Sequence, residues 1–217
     1  VTRPILILGA GGLARESRWL IEDCGRAGHG VRTACFVDRE GSSKFGQMLE
    51  GLPVLDCQSA RLRFPDARAI VAVGDPALRA NIAAEARAAG LSFAALLHPA
   101  AVHAPDLAIG PGSLVFAGCV ITANVRLGQH VQINPACSIA HDCVLEDFVT
   151  LAPGVRVAGS VWIERHVFIG IGAAIVNGTA EKPLVIGEDA VVGAGAVVIG
   201  DVPPGVTVAG VPARRLR

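Results

Sequence analysis

The stretch Ile109–Ile175, IGPGSLVFAGCVITANVRLGQHVQINPACSIAHDCVLEDFVTLAPGVRVAGSVWIERHVFIGIGAAI, decides the fold. Read in steps of six from Ile109, it meets Val115, Ile121, Leu127, Ile133, Ile139, Leu145, Leu151, Val157, Ile163, Ile169 and Ile175, all large aliphatics. Four residues after each stands a small or β-branched residue, from Ser113, Cys119 and Val125 through Val167, Ala173 and Thr179. One large and one small inward residue per six suits short strands joined by tight corners, three of them to a triangular coil of about 18 residues. A β-sandwich would instead alternate with period two along longer strands. The spacing predicts a left-handed parallel β-helix. The step is broken between Ile175 and Ile186, then resumes at Val192 and Val198, so Asn177–Pro183 is expected to be a loop pushed out of one coil. Such a loop either carries function or is a tolerated surface insertion.

Upstream the pattern changes. Ile5-Leu6-Ile7-Leu8 reads as a buried strand running into Gly9-Ala10-Gly11-Gly12, and residues 13–25 read as a helix closed by Gly25. Strands are expected at Thr33–Val37, Ala69–Val73 and Phe93–Leu97, with a second, alanine-rich helix over Ala77–Ala89. The alternation implies a small α/β, Rossmann-like domain with a parallel sheet. The domains are placed at residues 1–97 and 98–217.

Of the 217 residues, 52% are hydrophobic and only 4% aromatic, with no tyrosine, so the core must be aliphatic. Lys and Arg total 19 and so do Asp and Glu. That balance gives no electrostatic reason to expect nucleic acid or an anionic membrane as partner. No apolar run has the length of a membrane span, and the N-terminus has no secretory layout. A soluble cytoplasmic protein is the expectation. The six cysteines form no CxxC pair, so no zinc site is expected. Cys119, Cys137 and Cys143 fall on inward positions and are expected to fill the core.

Two places can bear chemistry. His141 lies two residues after inward Ile139, at a coil corner, with Asp142 directly behind it. A carboxylate beside an imidazole fixes its tautomer and stabilises its protonated form. One coil on, 18 residues away, stands Gly159, and one coil back Ala123, which suggests room around the ring. The alternative is a solvated corner histidine. His130 and His166 stand two coils apart, without a third histidine to complete a metal triad. The second place is Gly9-Ala10-Gly11-Gly12-Leu13-Ala14, which fits G-x-G-x-x-A after a strand. Its backbone N–H groups can face a phosphate at a helix start, and Asp38 ends the next strand, where it can accept from a ribose. The alternative is a tight strand–helix turn with no ligand.

These residues together resemble a bacterial family of sugar O- and N-acetyltransferases that join a Rossmann-like domain to a left-handed β-helix. The markers are Leu6–Gly12, Phe36-Val37-Asp38, Val71–Gly74, Leu97-His98-Pro99, Ile139–Cys143 and the closing Ala209–Arg214. The resemblance implies a homotrimer with acetyl-CoA as co-substrate in a groove between subunits, no metal, and a nucleotide sugar as the other substrate. It implies His141 as general base with Asp142 as its acidic partner. The backbone N–H of Gly159 is implied at the thioester carbonyl, with Ile171, Gly193 and Ala194 lining the cofactor. Gly9, Gly11, Gly12, Asp38 and Gly74 are implied on the nucleotide, and Asn134 and Thr150 near the sugar. Some relatives carry histidine where Leu13 and Thr150 stand, which bears on substrate identity. The expected reaction is direct transfer of acetyl to the amino group of a nucleotide-linked 4-amino sugar. Sugar O-acetylation, an oxidoreductase using the glycine loop, and a noncatalytic sugar-nucleotide scaffold are the alternatives.

Overall fold

The computed structural model describes residues 2–216, which divide into two compact units between Pro99 and Ala100. The first is a parallel sheet with helices. Strand β1 (Arg3–Leu8) leads through the glycine turn into α1 (Gly12–Arg26), followed by β2 (Val31–Val37). A short hairpin follows, β3 (Met48–Leu49) and β4 (Leu52–Leu55), then α2 (Cys57–Arg63), β5 (Arg68–Val71) and α3 (Pro76–Ala88). The sheet order is β3-β4-β2-β1-β5, parallel except for the hairpin pair. With β2 on one side of β1 and β5 on the other, the order reverses at β1. A ligand crevice in an open α/β sheet lies at such a switch point, beyond the carboxyl ends of the strands.

The hairpin and α2 lie where the sequence carries no clear periodicity. Asp56 supplies their one strong local signal, its side chain accepting from the Ser59 N–H at 2.8 Å as the N-cap of α2. Asp75 caps α3 in the same way, with Pro76 in the first turn. The strand expected over Phe93–Leu97 does not form as one piece. Phe93 makes a single bridge to Ala69, and a separate two-residue strand follows at Leu96–Leu97.

The second unit is a parallel β-helix. Its strands pair at 18-residue offsets, Ile121 with Ile139, Leu127 with Leu145 and Ile133 with Leu151, on three faces. After the loop the offset becomes 23: Ile163 pairs with Ile186, Ile169 with Val192 and Ile175 with Val198. The predicted inward aliphatics from Val115 to Ile175 are buried, while Ile109, in the first coil, is half-buried. Thr179 corrects the expectation: it is exposed, because the loop leaves the coil before the inward position is reached.

Each coil turns its corners with a residue in the left-handed region three positions after the inward aliphatic. Gly112, Gly118, Asn124, His130, Ala136, Asp142, Phe148, Gly154, Ser160, His166 and Gly172 all have φ between 54° and 81°. Glycine, Asn and Asp take this conformation most readily. The small inward residues also serve the corners. Ser113 Oγ donates to the Gly128 carbonyl, and the thiols of Cys119, Cys137 and Cys143 donate to those of Asn134, Ala152 and Ala158, each 15 residues on. The three thiols are buried, and burial raises the Cys143 thiol above its ordinary range. All three are core residues whose thiols satisfy carbonyls.

Candidate active site

The corner that follows Ile139 is built from three stacked coils. Asp142 takes φ 58°, and its N–H donates to the Ala123 carbonyl of the coil before. The Ser160 N–H of the coil after donates to the His141 carbonyl at 2.9 Å. The backbone of His141 is thereby held from both sides, while its side chain stays 62% exposed. Its Nδ1 lies 2.8 Å from Asp142 Oδ2. Hydrogen bonds from Asn124, and next from His141, hold the Asp142 carboxyl below the usual carboxylate range. An anionic Asp142 can only accept, so Nδ1 carries the proton and Nε2 presents its lone pair. That is the tautomer a general base needs.

Gly159 is where the expected open space proves to be occupied by the imidazole itself. A Cβ built on Gly159 would stand 2.6 Å from His141 Cε1 and 2.7 Å from Nε2. The ring lies against the glycine, so the missing side chain is a seat for the imidazole, and Ala123, one coil back, is exposed. On either side of Gly159, the Ala158 and Ser160 N–H groups donate to Ile175 and His141. Among the described residues the Gly159 N–H makes no backbone hydrogen bond, which leaves it able to donate to a ligand oxygen. One coil further on comes Asn177, the first residue of the extruded loop, with the Gly178 N–H donating to the Gly159 carbonyl.

The residues expected at the cofactor stack on a different corner. Ile171 is 60% exposed, and Ala194 lies one 23-residue coil above it. Gly193 packs on Ala209, where an added Cβ would come within 2.9 Å of its methyl group. Gly170, which the sequence reading did not single out, is required by the same stack: a Cβ there would meet Ala194 N at 2.6 Å. Between this corner and that of His141 runs one sheet face, with Val102, Val120, Ser138, Arg156, Ala174 and Val197 outward. Asn134 is buried and its Nδ2 donates to the Leu151 carbonyl, while Thr150 is buried beside Gln132 on another face.

His130, Phe148 and His166 form a ring ladder along one corner, with centroids 5.0 and 5.5 Å apart. His166, Glu188 and Asp189 bring ligand-type atoms within 4.8 Å of one another. There Glu188 pairs with Arg165 at 2.8 Å, and His166 with Asp189 at 3.3 Å.

In the first unit the nucleotide candidates share one edge. Gly9, at φ 122°, lies close to the Ala72 carbonyl, and Gly11 and Gly12 open α1 with no side-chain cap on its first N–H groups. Lys44 Nζ donates to the Ala10 carbonyl, which sets a cation over this turn. Asp38, at the end of β2, accepts from the Arg39 N–H at 2.9 Å and the Ser42 hydroxyl at 2.6 Å. Gly74 follows β5, and its carbonyl and that of Val73 accept from Nη1 of Arg79, a fully buried side chain. Lys44 and Arg79 carried no sequence signal; their roles depend on side-chain reach across the fold.

Residues 4–86 match the model of the PglD N-terminal domain. The chain is 32% identical to GDP-perosamine N-acetyltransferase of Escherichia coli O157:H7, over 97% of this chain and 95% of that enzyme. A histidine variant of perosamine N-acetyltransferase from Caulobacter crescentus, solved in complex with CoA and GDP-perosamine, superposes with a TM-score of 0.89 at 32% identity, covering 100% of this chain and 98% of that one. The acetyltransferase domain of PglB from Neisseria gonorrhoeae FA1090, in complex with acetyl coenzyme A, superposes at 0.87 with 32% identity, covering 100% of both chains. The chain therefore belongs to the bacterial nucleotide-sugar acetyltransferase family that couples a Rossmann-like domain to a left-handed β-helix, the family of the GDP-perosamine N-acetyltransferases.

Proposed function

We propose that this chain transfers acetyl from acetyl-CoA to the amino group of a nucleotide-linked 4-amino-4,6-dideoxy sugar of the GDP-perosamine type. The observation that carries this reading is the corner at which an Asp142-bound imidazole lies across Gly159, whose N–H makes no backbone hydrogen bond among the described residues. The family's bound ligands supply the two substrates. The amine nitrogen attacks the thioester carbonyl carbon and its proton passes to Nε2. The oxyanion accepts from the Gly159 N–H. The C–S bond then breaks, and the thiolate takes the proton back from His141. Base assistance of this kind is worth about 10²–10⁴-fold, and one oxyanion donor roughly 3 kcal/mol.

In this reading the nucleotide is held by Gly9, Gly11, Gly12, Asp38 and Gly74, the sugar meets Asn134 and Thr150, and Ile171, Gly193 and Ala194 line the cofactor. The working form is a homotrimer. The exposed Val102 and Val120 on one sheet row, 65% and 43% accessible, support a face covered by another copy. The cytoplasm, where acetyl-CoA is available, is the expected location. Among the described residues no helix is long and apolar enough to cross a membrane. The test is CoA thiol release from acetyl-CoA with a panel of 4-amino and matched 4-hydroxy nucleotide sugars. Release with a 4-amino acceptor and not its hydroxy counterpart is expected; release only with hydroxy acceptors, or with none, contradicts the proposal.

A further inference from the structure

The corner column that holds Asp142 continues backward in 18-residue steps to Asn124 and Asp106. Asn124 Nδ2 donates to Asp142 Oδ1 at 2.7 Å, and the Asn124 N–H donates to Asp106 Oδ2 at 2.8 Å. Asp142 Oδ2 is the oxygen on His141 Nδ1. The three contacts form one chain, Asp106 to Asn124 to Asp142 to His141, across three coils. We propose that Asn124 is a positioning residue: its amide clamps one oxygen of Asp142 so that the other stays aimed at His141, and Asp106 anchors the corner from which it reaches.

The need for a clamp follows from exposure. Asp142 is 51% accessible, and a carboxylate's terminal torsion is broad. With one contact alone it would rotate and exchange its partner for water. A second donor on the opposite oxygen removes that freedom and leaves the charge on the side facing the ring. Asn124 has φ 55°, and asparagine is at home in the left-handed region. Backbone preference alone would be met as well by glycine, which serves at Gly112, Gly118, Gly154 and Gly172. It gives no reason for the amide to reach the next coil. The charged or titratable groups on or beside this corner include Asp106, Asp142, His141, exposed Arg126 two residues after Asn124, and Cys143, whose thiol points inward to the Ala158 carbonyl. Glu181 and Lys182 stand in the loop that leaves the helix one coil above Gly159.

The inference rests on His141 as the base, so its test includes variants of both. Asn124→Gly keeps the corner and deletes the clamp. It should lower kcat about 10-fold with both KM values unchanged within twofold, the mark of lost orientation. Asn124→Asp keeps the shape and sets a carboxylate against Asp142. The added negative charge favours the imidazolium, so the acidic limb of the kcat profile should move up by about one pH unit. In a His141→Asn background Asn124→Gly should have no further effect on the residual rate. Wild-type kcat in Asn124→Gly, an unmoved limb in Asn124→Asp, or full additivity with His141→Asn would overturn the positioning role. Those outcomes leave the base assignment standing; that assignment fails instead if His141→Asn alone keeps its turnover.

Discussion

At Gly159 a single methyl group would stand 2.6 Å from Cε1 of His141, closer than any stable contact. Gly159→Ala should therefore displace the imidazole and cut kcat about 10²-fold, measured by thiol release under saturating substrates. A wild-type rate would show that the ring position is not the catalytic one. Asp142 gives a prediction with a sign. Its carboxyl is held below the usual carboxylate range, so it stays ionised at neutral pH. Asp142→Asn removes the anion that favours the imidazolium, and the acidic limb should move to lower pH while kcat falls. The adjacency of His141 and Asp142 and the 18-residue step to Gly159 are legible in the chain. What that step does not convey is the rotamer: it suggested room over Gly159, where the ring itself lies. Asn124 escaped notice for the same reason. Its place at 142 minus 18 is arithmetic, but its reach to Asp142 depends on a side-chain torsion.

Among the elements, the six-residue step carries the β-helix because each inward aliphatic is forced into a dry column. Leu145→Ala, fully buried and paired in register with Leu127 and Ile163, should cost about 2–5 kcal/mol, read as a lower unfolding midpoint. Ala136 turns its corner at φ 61°. Ala136→Gly should relieve that strain and raise stability by about 1 kcal/mol; a lower midpoint would show that the corner is not strained. The hairpin at Met48–Leu55 and helix α2 were not legible, since strands of two and four residues and a seven-residue helix are too short to show a period. Thr179 was misplaced because a counting rule continues through a coil after the chain has left it. The broken strand at Phe93–Leu97 reflects a similar limit: an apolar run says that a segment is buried, not that it pairs along its length.

For the whole molecule, the family likeness extends over nearly the entire chain, so both units enter the account. The first supplies a glycine turn, a helix start without a side-chain cap and Asp38 on one sheet edge; the second supplies the His141–Asp142 pair proposed as the base. If the exposed valine row is an interface, light scattering will find three chains in the active species, and a stable active monomer would contradict the trimer. In the proposed reaction His141 removes the proton from the attacking amine. That role is tested most directly by measuring turnover and acetyl-CoA affinity together in His141→Ala. Expected is a kcat lowered by about 10²–10⁴-fold with acetyl-CoA bound as tightly as by the wild type. Turnover near the wild-type level in a variant that binds acetyl-CoA normally would contradict it.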